Sequence, residues 1–225
     1  KKPMIVIGQS ALKLKSSKYI FEELKKYLIK NNKITNEWNS LNIISNNAST
    51  VGSYDLEIID ANIGENRTLE LIKNNDFDIL ILIGQDNLKI NKKNKFVIYI
   101  GTHGDYGAEI ADVVLPGAAY TEQDGYFTNL EGKIQKAYKA SYPPGTSKEE
   151  WQIFNELSAF LKRKTIYKNK DELIDSMTNY LKVNKKNNFT ENISTEFIDE
   201  KIDVDLIDYY YSNVISRASK TMTDC

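Results

Sequence analysis

Short apolar runs, unbroken by polar residues and closed by glycine, punctuate the first half of the chain. Pro3–Gly8, Asp78–Gly84 and Lys95–Gly101 carry three of them, the last two each opened by a charged residue, and Val113–Leu115, closed by Pro116-Gly117, is a shorter fourth. A β-branched run without alternation reads as a strand covered on both faces, as in a parallel sheet. Segments of helical period lie between the runs. Ile20, Leu24, Tyr27 and Leu28 mark one helix face, which Ser16 or Ser17 can cap. Trp38, Leu41, Ile44 and Ala48 predict a second helix, and the stretch through Leu69 and Ile72 to Asn75 a third. Strands alternating with helices predict an α/β layer around a mainly parallel sheet, with helices on both faces. Gly8, Gly84 and Gly101 end their runs where tight turns are needed.

The pattern changes after Pro116. Tyr126–Thr128 and Lys133–Tyr138 predict a hairpin turning at Asn129 and Gly132. Pro143-Pro144-Gly145 breaks the chain. Ser147 with Glu150 three residues on has the form of a capping box. It predicts a helix whose face is Trp151, Phe154, Leu157 and Leu161. Asp171–Leu181 predicts another, with Leu173, Ile174, Met177 and Tyr180 on one side. Lys182–Asn192 is polar and reads as a loop, and Asp208–Cys225 has no clear period. The division predicted is an α/β domain over 1–118, a hairpin and helix over 119–162, and a helical or irregular extension over 163–225. No internal repeat is evident.

Composition narrows the class. Hydrophobic residues make up 41% and charged residues 27%, the usual balance of a globular chain. The formal net charge is −1, which argues against a nucleic-acid binder, since phosphate contacts need a basic face. The apolar run Ile79–Ile83 is far too short to span a bilayer. The chain opens Lys1-Lys2-Pro3 without an initiator Met, so either a presequence has been removed or a longer protein is expected. The single cysteine, Cys225, cannot by itself build a disulfide framework, a zinc site or an iron-sulfur cluster.

Candidate chemistry is sparse. Gly8-Gln9-Ser10 follows a strand, but the G-x-G-x-x-G fingerprint of a dinucleotide site is absent. In Gly101-Thr102-His103-Gly104-Asp105-Tyr106-Gly107 the glycines could admit an anion to the backbone or simply make turns. His103 is the only histidine, and Asp105 is close enough to orient its ring. Glu122, Asp124 and Glu131 cluster in sequence around the hairpin. They could do acid–base work, or fix turns and pair with bases such as Lys133.

One stretch is far more specific. Ala111-Asp112-Val113-Val114-Leu115-Pro116-Gly117-Ala118-Ala119-Tyr120-Thr121-Glu122 leads to Gly125-Tyr126-Phe127-Thr128-Asn129-Leu130-Glu131-Gly132-Lys133-Ile134-Gln135. It resembles the ADVVLP…E…GTFTN-EGR-Q signature of the molybdopterin oxidoreductase superfamily. The opening Lys2-Pro3-Met4-Ile5-Val6-Ile7-Gly8-Gln9-Ser10-Ala11-Leu12 resembles one branch, the large iron-sulfur subunit of respiratory complex I. So do the Pro143-Pro144-Gly145…Glu150-Trp151 segment and the Ile215-Ser216-Arg217-Ala218-Ser219-Lys220-Thr221-Met222 tail.

The resemblance implies a molybdoenzyme fold that has lost its cofactor, so no catalytic, cofactor-binding or metal-binding residue is expected in this chain. It implies a structural role in the electron-input arm of NADH:ubiquinone oxidoreductase, on the matrix side of the mitochondrial inner membrane. Iron-sulfur clusters are expected in a partnering N-terminal portion of the subunit, and FMN in a neighbouring NADH-oxidising subunit. Both would be partners, with other peripheral-arm subunits. The alternatives are a fragment of an active molybdopterin-dependent enzyme of the formate dehydrogenase kind, or a free-standing nucleotide-binding module.

Overall fold

The computed structural model describes residues 2–58, 64–86, 88–183, 196–201 and 210–224. In chain order they form β1 (Ile5–Gly8), a 3-10 turn (Gln9–Lys13), α1 (Ser17–Lys30), β2 (Leu41–Ile44), α2 (Thr50–Asp55) and α3 (Gly64–Lys73). Next come β3 (Ile79–Ile83), β4 (Phe96–Gly101), α4 (Tyr106–Ile110), β5 (Val113–Pro116), β6 (Gly125–Thr128) and β7 (Ile134–Ala137). The helices α5 (Glu150–Phe160), α6 (Lys170–Val183), α7 (Val214–Arg217) and α8 (Lys220–Thr223) follow. The chain gathers into two compact units, each assembled from three separate stretches. One comprises Lys1–Gly52, Phe127–Ile134 and Lys185–Asp205; the other Ser53–Tyr126, Gln135–Asn184 and Leu206–Cys225.

In the first unit β1 and β2 run parallel, with Ile5 opposite Leu41 and Gly8 opposite Ile44. Ile7, Leu28 and Leu41 form the buried centre, and Phe21 and Leu24 of α1 pack against it. Burial of each such side chain contributes roughly 1.5–3 kcal/mol. Three expectations change here. Leu41–Ile44 is a strand and not part of a helix, because pairing with β1 overrides an i, i+3 spacing that mimics a helical face. Tyr27 is exposed, and Phe21 takes its place on the buried face of α1. Ser16 sits at the N-cap of α1, but its hydroxyl makes no capping bond. Instead it donates to the Ile198 carbonyl and accepts from the Ile198 N–H, each at 2.7 Å.

The second unit is built on the parallel sheet β3-β4-β5. The strands expected at Asp78–Gly84, Lys95–Gly101 and Val113–Leu115 all form, but Pro3–Gly8 joins β2 in a separate sheet. Leu82, Val97 and Tyr99 make the core on one face, with Leu80, Ile90, Ala108 and Ile110 against them. The other face is more open than the unalternating runs predicted. Ile79, Ile81 and Ile83 are 61%, 40% and 51% exposed, and Phe96, paired with Ile79, is 44% exposed.

Asp112 fastens β5 to β4. Its Oδ2 accepts from the Val97 N–H at 2.7 Å and its Oδ1 pairs with Lys92 Nζ at 2.7 Å. The Lys92 hydrogen bond first, then the Val97 N–H, holds the Asp112 carboxyl below the usual carboxylate range. A depressed carboxylate contributes stability that is present above the unfolded value of about 3.9 and lost as pH falls through the folded value. Asp112→Asn is therefore expected to flatten the fall in melting temperature below about pH 4. Thermal melts from pH 7 to pH 2 that superimpose for the two proteins, apart from a constant offset, would contradict this.

The hairpin and later helices follow the sequence with one shift. Asn129 Oδ1 accepts from the Glu131 and Lys133 N–H groups, and Gly132 has φ of 78°, as the turn required. Lys148 forms a parallel bridge with Gly117, its N–H donating to the Pro116 carbonyl at 3.2 Å. That holds residue 148 extended, so the helix cannot begin at Ser147. α5 starts at Glu150 with Glu149 as its cap, and Gln152 Oε1 accepts from the Glu149 N–H. Its buried side centres on Ile153, while Leu157 and Leu161 are exposed. α6 extends to Val183, and the rest of the predicted polar loop, 184–192, lies outside the described residues. The tail without clear period holds the two short helices α7 and α8. Among the described residues no helix is long and apolar enough to cross a membrane.

Candidate functional site

Open α/β sheets place ligands in the crevice outside the carboxyl ends of their strands. In the second unit that edge carries Gly84, Gly101 and Pro116, and it opens into a cavity of about 340 Å³. Gly84, Gly101, Ala118, Ala119, Tyr120 and Glu150 line it on the sheet side. Asn213, Val214 and Ile215 of the tail form another wall. Beside it, Arg217 is gripped by two carboxylates. Its Nη2 lies 2.6 Å from Asp86 Oδ1, and its Nε lies 2.7 Å from Asp105 Oδ2. Burial works against the Arg217 charge, but the Asp105 and Asp86 hydrogen bonds outweigh it and hold the guanidinium protonated even more firmly.

Tyr99 underpins this edge. It is 1% exposed, and its hydroxyl donates to the His103 carbonyl at 2.9 Å. Burial first, then the negative charges of Asp86 and Asp105, push the Tyr99 phenol up. The ring fits because Gly107 faces it. A Cβ there would lie 2.7 Å from the Gln85 carbonyl oxygen and 2.9 Å from the ring.

The single histidine behaves as part of a loop. His103 Nδ1 meets Thr102 Oγ1 at 3.0 Å. Asp105, close enough in sequence to orient the ring, instead caps α4 through the Tyr106 N–H and pairs with Arg217. The sequence offered no sign of that pairing. Two of the hairpin carboxylates hold backbone N–H groups, and Asp124 also pairs with Lys136 at 3.6 Å. Glu122 Oε2 accepts from the Ala119 N–H at 2.9 Å, and Asp124 Oδ1 accepts from the Lys139 N–H at 2.9 Å. That backbone bond, helped by the charges of Lys136 and Lys170, holds the Asp124 carboxyl below the usual range. Glu131 contributes its N–H to the Asn129 turn. Cys225 lies outside the described residues.

A larger cavity, about 530 Å³, shares Glu150 with the sheet-edge crevice. Tyr126, Trp151, Tyr167, Ile174, Met177 and Tyr180 are among its walls. Glu149 joins its rim, accepting from Trp151 Nε1 at 2.8 Å and from Lys170 Nζ at 2.5 Å. Among the described residues, no three His, Cys, Asp or Glu side chains converge as a metal site would require. Asp86, Arg217, Glu149 and Lys170 are the polar groups that sequence reasoning passed over. Asp86 had one legible signal: it lies just beyond a strand ending in glycine, at the sheet edge where ligands bind.

A family model described as molybdopterin oxidoreductase matches residues 1–160, and one for the C-terminal part of the NADH-ubiquinone oxidoreductase G subunit matches residues 178–225. The chain is similar along its whole length to a NADH-ubiquinone oxidoreductase 75 kDa subunit of Reclinomonas americana, with 37% identity covering 34% of that protein. It is 35% identical to the NADH-quinone oxidoreductase G subunit of Rickettsia bellii, over all of this chain and 33% of that one. A mitochondrial NADH-ubiquinone oxidoreductase 78 kDa subunit of Candida albicans is 31% identical, again over the whole chain and 33% of its own length. The chain thus spans about a third of the curated relatives it matches.

The family name implies a phosphate-bearing pterin cofactor. The sheet-edge crevice does not fit one. Its charged lining group among the described residues is the carboxylate of Glu150, and the cation beside it, Arg217, is already held by two carboxylates. An anion placed there would meet uncompensated negative charge. The parallel strands, the Asp112 anchor and the Asn129–Gly132 hairpin nonetheless all fall within the matched residues 1–160, and on that match the chain belongs to the molybdopterin oxidoreductase family.

Proposed function

We propose that this chain is the C-terminal, structural portion of the large iron-sulfur subunit in the electron-input arm of respiratory complex I. It supports electron transfer from NADH to ubiquinone without carrying a redox centre. The observation that carries this reading is the match of residues 178–225 to the C-terminal model of the G subunit, which specifies one branch of a broad family. The chain contributes no catalytic, cofactor-binding or metal-binding residue. The iron-sulfur clusters belong to the partnering portion of the subunit, and FMN to the neighbouring NADH-oxidising subunit. The arm stands on the matrix side of the mitochondrial inner membrane, and the other partners are its remaining peripheral subunits.

The uncovered apolar surface supports a role in assembly. A parallel sheet is stable when both faces are covered, yet Ile79, Ile81 and Phe96 stay exposed on one. Leu157, Phe160 and Leu161 of the α5 segment are also exposed, at 38%, 85% and 61%. The segment 119–162 packs, in this reading, on the cluster-bearing portion. Residues 1–225 expressed alone are expected to be poorly soluble or to melt without cooperativity, and co-expression with that portion to yield a monodisperse complex. A monodisperse, cooperatively melting monomer indifferent to the partner would refute the assembly role. Stoichiometric molybdenum in the purified complex would favour the active-enzyme reading instead.

A further inference from the structure

We propose that residues 210–224 are a built-in stopper for the crevice at the carboxyl end of the β3-β4-β5 sheet, and that Arg217 is its latch. The crevice occupies the position where an open α/β sheet receives a ligand, and the chain's own tail stands there. Asn213, Val214 and Ile215 wall the cavity directly, so moving them away would open it to one side.

The tail cannot hold that position by its own secondary structure. α7 and α8 have four residues each, far below the length at which an isolated helix persists. Their caps are internal: Asn213 Oδ1 accepts from the Ile215 and Ser216 N–H groups, and Ser219 Oγ from the Met222 N–H. These bonds shape the tail without fixing it to the sheet. Arg217 supplies contacts that do fix it: its Nη2 and Nε reach carboxylates on the loops that follow β3 and β4. Tyr211 donates to the Arg217 carbonyl, which ties the latch back to the start of the segment.

Asp86 makes the latch one-sided. It is 4% exposed, and its Oδ2 has no partner among the described residues. Its Oδ1 receives the guanidinium. With the tail lifted, a buried carboxylate would lose its cation, so the closed arrangement is strongly favoured. Two carboxylates facing one guanidinium leave the edge negative, and lifting the tail would make it more so, which disfavours phosphate-bearing ligands in either state. The latch rests on the geometry of the second unit and stands whichever assembly the chain enters.

Hydrogen–deuterium exchange on the full chain in its native complex tests this. In Arg217→Ala, peptides covering 210–224 are expected to exchange roughly tenfold faster or more, with β4 peptides still protected. Arg217→Lys, which keeps the charge but cannot fork to both carboxylates, should fall between. Tail exchange in Arg217→Ala equal to that of the parent would overturn the proposal. If Arg217→Ala does not assemble, the pair Asp86→Asn with Arg217→Gln removes the buried charge and the latch together. Faster tail exchange in that pair supports the latch, and unchanged exchange overturns it.

Discussion

Arg217→Ala is expected to destabilise the unit that contains it by about 3–5 kcal/mol, the cost typical of removing one partner from a buried ion pair. The size comes less from the lost attraction than from what stays behind. Asp86 has a side chain only 6% exposed, and Arg217 16%, so solvent cannot readily replace the missing guanidinium. Asp105, at 25% exposure, can recover water and contributes less to the loss. Asp86→Asn in the Arg217→Ala background should therefore restore part of the stability, and a double-mutant cycle would isolate the pair. Chemical denaturation of the assembled protein reads the effect, and a loss below about 1 kcal/mol, the level of exposed pairs, would show that the contact is not buried in solution.

Tyr99→Ala is expected to cost about as much, roughly 3–5 kcal/mol, by emptying the centre of the β3-β4-β5 core. The ring packs with Leu82 and Val97 and lies against Gly107. Tyr99→Phe separates the ring from its hydroxyl. It should lose only the hydrogen bond to the His103 carbonyl, about 0.5–1.5 kcal/mol. The two variants also differ from the parent in alkali. Burial raises the Tyr99 phenol, so the folded state keeps its proton to higher pH than the unfolded chain does. That contribution is fully present below the unfolded value of about 10 and is lost as pH rises through the folded one. Stability of Tyr99→Phe should fall less steeply above about pH 10 than that of the parent. Identical alkaline limbs in parent and Tyr99→Phe would mean that the phenol is not shielded as described.

The readable parts of this fold were those where local pattern and tertiary demand agree. β3 and β4 are apolar, β-branched and stopped by glycine, and both form the strands so predicted, although one face is left open. Asn129 and Gly132 are likewise local, since a side-chain acceptor and a positive φ suffice to make the turn. Residues 41–44 show the opposite case. Leu41 and Ile44 have helical spacing, and only the distant partner β1 makes them a strand. The start of α5 differs from the local capping signal because the bridge that keeps Lys148 extended comes from Gly117, far away in sequence. The latch is the extreme case. Asp86 and Arg217 are 131 residues apart, and each alone is an ordinary charge in a loop or a serine-rich tail. Chemistry carried by a pair of that kind becomes visible only when the chain is folded.

The isoleucines of β3 have a consequence for the cell as well as for the fold. Ile79-Leu80-Ile81-Leu82-Ile83 is uncharged, free of proline and strongly β-forming, and among the described residues it pairs with β4 alone. An edge of this composition is a template for strands from other copies. A chain in which this edge stays open is thus a potential seed for fibrils. Copies in which this edge stays open should become substrates for chaperones and proteases before they meet one another.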